Sequence, residues 1–395
     1  MSYFKLMQTV VLVLFFLSCN AQQQSKNIKK DTKKKEDIRT LALPAHLQNE
    51  GKWKFQANIS DDFNYIYEET NKSMNFGPNK WVNFYQSQWD GPGTTYWKYN
   101  HVSVDGNNLI LKASRWNKEF EYMPLTGRPN KMNKHHEGVN AGCITSINTV
   151  VYPVFIESKV SVANIALASD VWLLSPDATQ EIDILECYGG KGSGNAYFAK
   201  SIHLSHHSFV REPFTDYQPR DIGSWYEKEG VTAWGDYCWK EEDQKYVRIG
   251  VYWKNAFHFE YYIDGELVRV LYDKSLANKR KDKWEYGYPT MTDNKLDIES
   301  GQQKITNFST TETYSFEELK KANDVSKVSI IDPYNYQDGN GFTKELNIII
   351  NLESQDWHVD AGRTPSDEDL KNEKKNTMKV DWLRVFKPTT TVSEH

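Results

Sequence analysis

The chain has 395 residues, of which 39% are hydrophobic and 14% aromatic, and its formal net charge is −5. This length and hydrophobic content allow one large domain with a sizeable core. Acidic and basic residues are mixed and no basic stripe appears in the region expected to fold, which argues against nucleic-acid binding. The sequence has no run of 18 apolar residues, so no membrane-spanning helix is expected.

The N-terminus has the pattern of an export signal. Lys5 precedes a short apolar run, residues 6–17, and Cys19 follows that run after one serine. This order is typical of a secretory signal peptide, and the cysteine resembles the acylated residue of a lipobox. We therefore predict a signal over residues 1–19 and lipidation at Cys19, so that the lipid alone holds the protein at the outer membrane of the cell envelope. The alternative is an ordinary signal cleaved near Ala21, which would release a secreted, extracellular protein.

The rest of the chain divides by composition. Residues 20–48 are polar and lysine-rich without a hydrophobic face, which predicts a flexible tether. Residues 49–390 are expected to form one folded domain. Within this domain, residues 117–140 and about 272–342 are polar or charged and poorly periodic, so we predict long surface insertions there. No repeat or second domain is evident, and a monomer is expected.

Three cysteines remain after the export signal, namely Cys143, Cys187 and Cys238. An odd number in an exported protein argues against a full disulfide framework. We interpret them as buried, small apolar residues, although one disulfide pair stays open as an alternative.

From about residue 50 onward the pattern is that of β-strands. Alternating apolar residues separated by Asp-Gly turns predict hairpins and an antiparallel meander. The stretches with this pattern are 101–113, 247–253, 257–263, 267–271 and 379–386. Helical periodicity is scarce, and one capped helix is predicted after Ser315. Many short strands separated by turns indicate an all-β fold, a β-sandwich or jelly roll of antiparallel sheets.

One stretch carries three carboxylates in an apolar context, Glu181-Ile-Asp183-Ile-Leu-Glu186. In a strand, side chains alternate, so Glu181 and Asp183 share a face while the isoleucines point to the core. Glu186 is out of phase and would be buried without a partner, which is costly. A one-residue β-bulge at Ile184–Leu185 restores the phase and returns Glu186 to the face of the other acids.

Three carboxylates on one exposed face indicate chemistry or a metal. A Ca²⁺ site is the alternative, but a straight ladder of acids is a poor cage for that ion. Glycoside hydrolysis needs two carboxyl groups, one that attacks the anomeric carbon and one that protonates the leaving oxygen. Crowding is expected to raise the pKa of the acid, so that it stays protonated near neutral pH.

The same motif resembles the E-x-D-x-x-E signature of glycoside hydrolase family 16. The resemblance implies a curved jelly-roll β-sandwich of two antiparallel sheets, a concave substrate cleft, and a retaining mechanism that needs no cofactor. It also implies that Glu181 is the nucleophile, that Asp183 assists it, and that Glu186 is the acid/base.

Further stretches resemble the β-agarase branch of that family. They lie at residues 89–97, 114–115, 207–214, 351–357, 364–370 and 380–382. This resemblance implies endo-acting hydrolysis of β-1,4-galactosidic bonds in agarose, a galactan polysaccharide. The alternatives are a β-porphyranase or another sulfated-galactan hydrolase, and a non-catalytic glycan-binding surface lipoprotein. The intact carboxylate motif argues against the last of these.

The matching stretches also suggest binding residues. Three tryptophans are predicted to stack on sugar rings, with core packing as the alternative: Trp97, Trp172 and Trp357. Four polar residues are predicted to hydrogen-bond sugar hydroxyls, with structural ion pairs as the alternative: Arg115, His207, Arg211 and Glu353. Members of the family often carry a structural Ca²⁺, and the resemblance points to Asp381 as its side-chain ligand. Zinc is not expected, because adjacent histidines such as His206 and His207 point to opposite faces of a strand.

Overall fold

The computed structural model describes residues 35–116, 135–240 and 243–389. The folded domain begins at Ile38. Cys19 and most of the predicted insertion at 117–140 lie outside the described residues.

Two large sheets make up the domain, and every pairing in them is antiparallel except that of Thr95–Trp97 with Val139–Ala141. Within the described residues, the outer sheet has fourteen strands, in the order Ile66–Tyr67, Val102–Asp105, Leu109–Arg115, Thr377–Pro388, Val154–Ser161, Val247–Asn255, His258–Ile263, Glu266–Tyr272, Ser275–Arg280, Lys283–Pro289 and Ile305–Thr311, with Trp53–Phe55, Thr95–Trp97 and Val139–Ala141 at its sides. The cleft sheet has nine, in the order Phe214–Tyr217, Ser201–Arg211, Gln180–Tyr188, Ala168–Leu174, Leu346–Glu353, Cys143–Val150, Trp81–Val82 and Asn75–Phe76, with Trp225–Glu227 beside the second.

The remaining elements are short. Small hairpins form from Trp239–Lys240 with Asp243–Gln244, Met291–Thr292 with Lys295–Leu296, and Ile298–Glu299 with Gln302–Gln303. The α-helices are Ala45–Gln48, Trp234–Cys238, Phe316–Val325, Asp356–Asp360 and Asp367–Lys371, and single 3₁₀ turns occur at Tyr99–His101, His135–Glu137, Phe198–Lys200 and Ile222–Ser224. None of the helices in the described ranges is both long and apolar enough to cross a membrane.

The two sheets pack face to face through one hydrophobic core. Ile182 and Ile184 of the cleft sheet and Ile249 and Val251 of the outer sheet are fully buried members of that core. Burying one such side chain stabilises the fold by about 1.5–3 kcal/mol. The predicted β-sandwich is therefore confirmed.

A second hydrophobic cluster covers the opposite face of the outer sheet. Phe155 and Tyr252 come from its strands, and Leu47 and Leu319 come from the helices Ala45–Gln48 and Phe316–Val325. The outer sheet is thus buried on both faces, whereas the cleft sheet keeps one face for side chains that are not part of the core.

The predicted meander, its hairpin turn and the capped helix are confirmed. The strands Val247–Asn255, His258–Ile263 and Glu266–Tyr272 form the expected meander. Asp264 and Gly265, which join the last two strands, have φ values of 51° and 81°, a conformation that Gly and Asp adopt readily in tight hairpins. The helix Phe316–Val325 begins after Ser315, whose hydroxyl accepts a hydrogen bond from the backbone N–H of Glu318.

The cysteines behave as predicted from their number. Cys143, Cys187 and Cys238 are buried and none of them forms a disulfide. Each therefore contributes as a small apolar side chain.

The predicted tether, residues 20–48, ends earlier than its polar composition suggested. Ile38 and Leu47 are buried. The guanidinium of Arg384 donates hydrogen bonds to the backbone carbonyls of Leu41, at 2.6 Å, and Ala42, at 3.0 Å. Hydrogen bonds between a buried arginine and backbone carbonyls leave no hydropathy signal in the sequence. The predicted end of the tether, at residue 48, was therefore about ten residues too late.

The expectation of an irregular surface insertion at about 272–342 is also wrong. The strands Ser275–Arg280, Lys283–Pro289 and Ile305–Thr311 extend the outer sheet, and the helix Phe316–Val325 packs on them. The high charge density of the segment comes from the exposed side chains of these strands and this helix. Buried residues such as Trp284 alternate with the charged ones.

We expect the whole segment and its tip, residues 290–304, to differ in their effect on stability. Deleting residues 274–340 removes members of both hydrophobic clusters, including Trp284 and Ile331, and each large buried side chain lost costs about 3–5 kcal/mol. This variant should show no cooperative unfolding transition by calorimetry. Replacing residues 290–304 by a short glycine-serine turn should preserve the transition, because Pro289 and Ile305 already face each other as register partners.

The replacement of residues 290–304 serves as the control for the deletion of residues 274–340. A cooperative transition at the wild-type Tm in the variant that lacks residues 274–340 would contradict the structural role assigned to this segment.

Candidate active site

The three carboxylates share one face because the strand Gln180–Tyr188, here called the carboxylate strand, contains a bulge. Along the neighbouring strand, Asp183 pairs with Ser205 and Glu186 pairs with His203, so one extra residue lies between the two pairs. Side chains at positions 184 and 185 are both fully buried. The predicted bulge therefore places Glu186 on the same face as Asp183.

Glu186 is held by two hydrogen-bond donors. Its Oε2 lies 2.7 Å from His203 Nδ1, and its Oε1 accepts a hydrogen bond of 2.5 Å from the Tyr188 hydroxyl. The His203 ring is buried and stacks on Trp225 with a centroid separation of 4.3 Å. Burial acts to raise the pKa of Glu186, but the hydrogen bonds and charge of these donors outweigh it and lower that pKa to about 2.

This result corrects the expectation that crowding raises the pKa of the acid. Crowding instead raises the pKa values of the other two carboxyl groups. Burial, followed by the charge of Asp183, raises the pKa of Glu181 well above its usual value, and burial raises the pKa of Asp183 to about 6.

His207 lies beside the other two carboxylates. Its Nε2 is 3.7 Å from Glu181 Oε1 and 3.6 Å from Asp183 Oδ2, and its Nδ1 is 2.8 Å from Asp216 Oδ1. Burial opposes a charge on the ring, but Asp216 and Glu181 outweigh it and raise the pKa of His207 to about 10. Sequence reasoning missed Asp216, although its strand follows the His207 strand through a tight turn.

A second buried carboxyl pair lies next to the carboxylate strand. The amide of Asn351 donates hydrogen bonds of 3.0 Å to both Asp170 and Glu353, and its oxygen accepts one of 2.6 Å from the Trp172 indole. Burial raises the pKa of Asp170 well above its usual value, with the charge of Glu353 adding to it. Burial and the charge of Glu186 raise the pKa of Glu353 to about 8.

Asp170 was not identified from the sequence, although a signal was available. It precedes Trp172 by two positions, and strand alternation places both on the same face. The structure pairs Asp170 with Glu186 across the two strands.

The three predicted stacking tryptophans have different environments. Trp97 is 2% exposed, its ring stacks against Tyr85, and its N–H donates to the Leu352 carbonyl, so it packs in the core. Trp172 lies on the cleft face beside Asp183, but its indole is mostly covered. Trp357 is 37% exposed and is the tryptophan whose ring is open to a ligand.

The two predicted binding arginines also differ. Arg115 donates to Asp367 Oδ1 at 2.7 Å and to the Pro365 carbonyl at 2.7 Å, which matches the structural ion pair considered as the alternative. Arg211 lies over the rings of Phe209 and Phe214, at 4.4 and 5.6 Å from their centroids. Because Phe209 also stacks on His207, Arg211 stays near the carboxylates.

The residues around Asp381 do not fit the predicted Ca²⁺ site as they stand. Asp381 Oδ2 is 2.7 Å from the Lys159 ammonium, so a bound cation would have to displace an existing positive charge. Within the described ranges, no group of three potential ligands includes Asp381. Calcium binding there stays a prediction.

Two other groups bring three potential metal ligands together. One consists of Glu181, Asp183 and His207 in the site itself, and the other consists of His46, Glu50 and Glu260. In the second group the Lys254 ammonium already lies 2.7 Å from Glu50 Oε1. His206 is buried in the core, opposite His207, as strand alternation predicted.

Comparisons with known proteins agree with this geometry. The family model described as "Beta-porphyranase A-D, GH16 domain" matches residues 53–313. The β-agarase D of Zobellia galactanivorans is 44% identical, over 89% of this chain and 74% of that protein. A β-agarase of Phocaeicola plebeius is 39% identical, over 87% and 88% of the two chains.

Solved structures show the same relationship. The catalytic domain of the Z. galactanivorans β-agarase D superposes with a TM-score of 0.77 at 42% identity, over 90% of this chain and all of that one. An inactivated β-agarase B in complex with agaro-octaose gives a TM-score of 0.62 at 35% identity, over 89% and 99% of the chains. These matches and the carboxylate strand agree with the resemblance found in the sequence: the chain is a glycoside hydrolase and belongs to family 16, with the jelly-roll β-sandwich of that family.

Proposed function

We propose that this enzyme is an endo-acting β-agarase, which hydrolyses the β-1,4-galactosidic bonds of agarose with retention of configuration. The observation that carries the proposal is the bulged carboxylate strand, which presents Glu181, Asp183 and Glu186 on one face of a chain that is similar to β-agarases. No cofactor is needed for this reaction.

The reaction takes two steps. Glu181 attacks the anomeric carbon while Glu186 donates a proton to the departing glycosidic oxygen, which leaves the sugar as an ester of Glu181. Glu186 then accepts a proton from water, and that water displaces Glu181 and restores the original configuration. Asp183, between them, orients Glu181 and adjusts its charge.

The side chains near the carboxylates support a neutral galactan as the substrate. Trp357 offers an exposed ring for stacking, and Arg211 and His207 offer donors to sugar hydroxyls. A sulfated galactan needs an additional cation. Arg115 is already paired with Asp367, so Arg211 is the arginine that a sulfate could use. The choice of agarose over porphyran therefore rests on the similarity to β-agarases.

Incubation with polysaccharides tests the substrate. We expect agarose to yield new reducing ends and a series of oligosaccharides, with an early fall in viscosity that marks internal cleavage. Porphyran and carrageenan should yield at least tenfold fewer ends under the same conditions. Faster release from porphyran would make the enzyme a porphyranase, and binding of agarose without cleavage would identify a glycan-binding protein.

We expect Glu181→Ala and Glu186→Ala to fail differently, because one removes the nucleophile and the other removes the acid/base. Azide should restore activity to Glu181→Ala with inverted product. With an activated aryl glycoside, Glu186→Ala should still form the glycosyl-enzyme, and azide should give a retained product. Loss of acid/base assistance alone costs about 10²–10⁴ in rate.

Asp183→Asn is the internal comparison for these variants and should lose less activity than either. Proton NMR of the first wild-type product provides the decisive check. An inverted anomer would refute the retaining mechanism and the roles given to Glu181 and Glu186.

We also propose that Cys19 is lipidated and holds the enzyme at the cell envelope. The support is the short apolar run that ends beside this cysteine and the polar stretch that follows it. Cells expressing the protein and fed a fatty-acid analogue should show labelled enzyme in the membrane fraction, and Cys19→Ala should remove the label. An unlabelled, freely released wild-type protein would rule out the anchor.

A further inference from the structure

Aromatic side chains form a continuous row that starts beside Glu186 and ends at the protein surface. The hydroxyl of Tyr188 donates to Glu186, and the centroid of the Tyr188 ring lies 5.4 Å from that of Trp357. The ring centroids of Trp357 and Phe198 are 4.9 Å apart, and those of Phe198 and Tyr197 are 5.1 Å apart. Trp357, Phe198 and Tyr197 are here called the aromatic ridge.

The two ends of the ridge are open to solvent. Trp357 is 37% exposed and Tyr197 is 58% exposed, whereas Phe198 is half-buried between them. Single exposed apolar side chains are common on protein surfaces. A contiguous aromatic surface that adjoins an active site is instead typical of a binding site.

The loop that carries the outer two ridge residues is fixed to the end of the carboxylate strand. Asn195 is fully buried, and its amide donates to the backbone carbonyls of Tyr188, at 2.8 Å, and Gly190, at 2.7 Å. The backbone N–H of Phe198 in turn donates to the Asn195 carbonyl at 3.0 Å. The strand that carries the catalytic carboxylates therefore also sets the position of the ridge.

Two cations hold the rings of the ridge in place. The guanidinium carbon of Arg363 lies 4.9 Å from the centroid of the Phe198 ring and 5.3 Å from that of Trp357. The Lys200 ammonium lies 5.0 Å from the centroid of the Tyr197 ring. Such cation–π contacts restrict the rings, and a platform that is ordered before binding loses little conformational entropy when a ligand arrives.

The chemistry of the ridge suits a galactan chain. The C–H groups on one face of a galactose ring form an apolar patch, and burying that patch against an aromatic ring is favourable. The hydroxyl of Tyr197 can also donate to, or accept from, a sugar hydroxyl. The ridge thus offers both kinds of contact that a polysaccharide needs.

We propose that the aromatic ridge is a binding site for the polysaccharide chain, and that Tyr197 contacts sugar residues beyond those held at the catalytic carboxylates. Two rings separate Tyr197 from Tyr188, so a sugar residue at Glu186 cannot reach Tyr197. Only a chain that extends along the ridge gains this contact. The inference rests on the agarase function proposed above, because the ridge continues the same cleft.

Binding of agaro-octaose to Tyr197→Ala tests the inference. Glu181→Ala serves as the parent protein, since it lacks the nucleophile, and titration calorimetry measures Kd. Removing the Tyr197 ring should weaken binding at least about fivefold, which is typical of an aromatic side chain that carries binding energy. Tyr197→Phe keeps the ring and should bind nearly as well as the parent.

The same substitution in the active enzyme separates binding from catalysis. Tyr197 lies too far from the reacting groups to act on them. Tyr197→Ala should therefore raise KM for agarose by a factor similar to the rise in Kd, with a much smaller change in kcat.

Phe308→Ala is the matched control. Phe308 is 37% exposed, like Trp357, but it lies on the strand Ile305–Thr311 at the edge of the outer sheet. Its removal should change neither Kd nor KM. If the parent binds agaro-octaose and Tyr197→Ala binds it equally well, the inference is wrong and the agarase proposal stands. If the parent does not bind agaro-octaose, the agarase proposal fails, and this inference fails with it.

Discussion

The active face depends on a single break in strand alternation. A regular strand would place Glu186 in the hydrophobic core with Ile182 and Ile184, where an unpaired carboxylate is strongly destabilising. The bulge adds one buried residue and returns Glu186 to the face of Glu181. The sandwich core and the catalytic groups are therefore alternate positions of the same strand, and neither can be shifted in register without disrupting the other.

Crowding these carboxylates has an electrostatic cost, and the neighbouring strand offsets it. His203 and His207 lie on the same face of that strand. His203 contacts Glu186 near one end of the carboxylate strand, and His207 contacts Glu181 near the other end. Their different partners separate the pKa values of two chemically identical glutamates. Tyr188 donates to one glutamate, whereas Asp216 anchors the ring beside the other.

Patterns of period two were sufficient for the meander, its hairpins and the bulge, because alternation follows directly from backbone geometry. They did not reveal the strands within residues 272–342, where charged side chains cover the exposed positions. The same pattern could not separate Trp97 from Trp357, since stacking on a sugar and packing in a core need the same ring. Asp170 was missed because the side chain that binds it, Asn351, is far away in the chain. The N-terminal boundary was missed because Arg384 binds backbone carbonyls, which have no residue signature.

The start of the folded domain has a consequence for how the enzyme meets an insoluble polymer. Residues from Ile38 onward bind along the outer sheet, where Leu47 joins the cluster around Phe155. Glu181 lies on the far face of the other sheet, with both layers of the sandwich between them. The point where the chain enters the folded domain and the face that meets the polymer therefore lie on opposite sides of the sandwich.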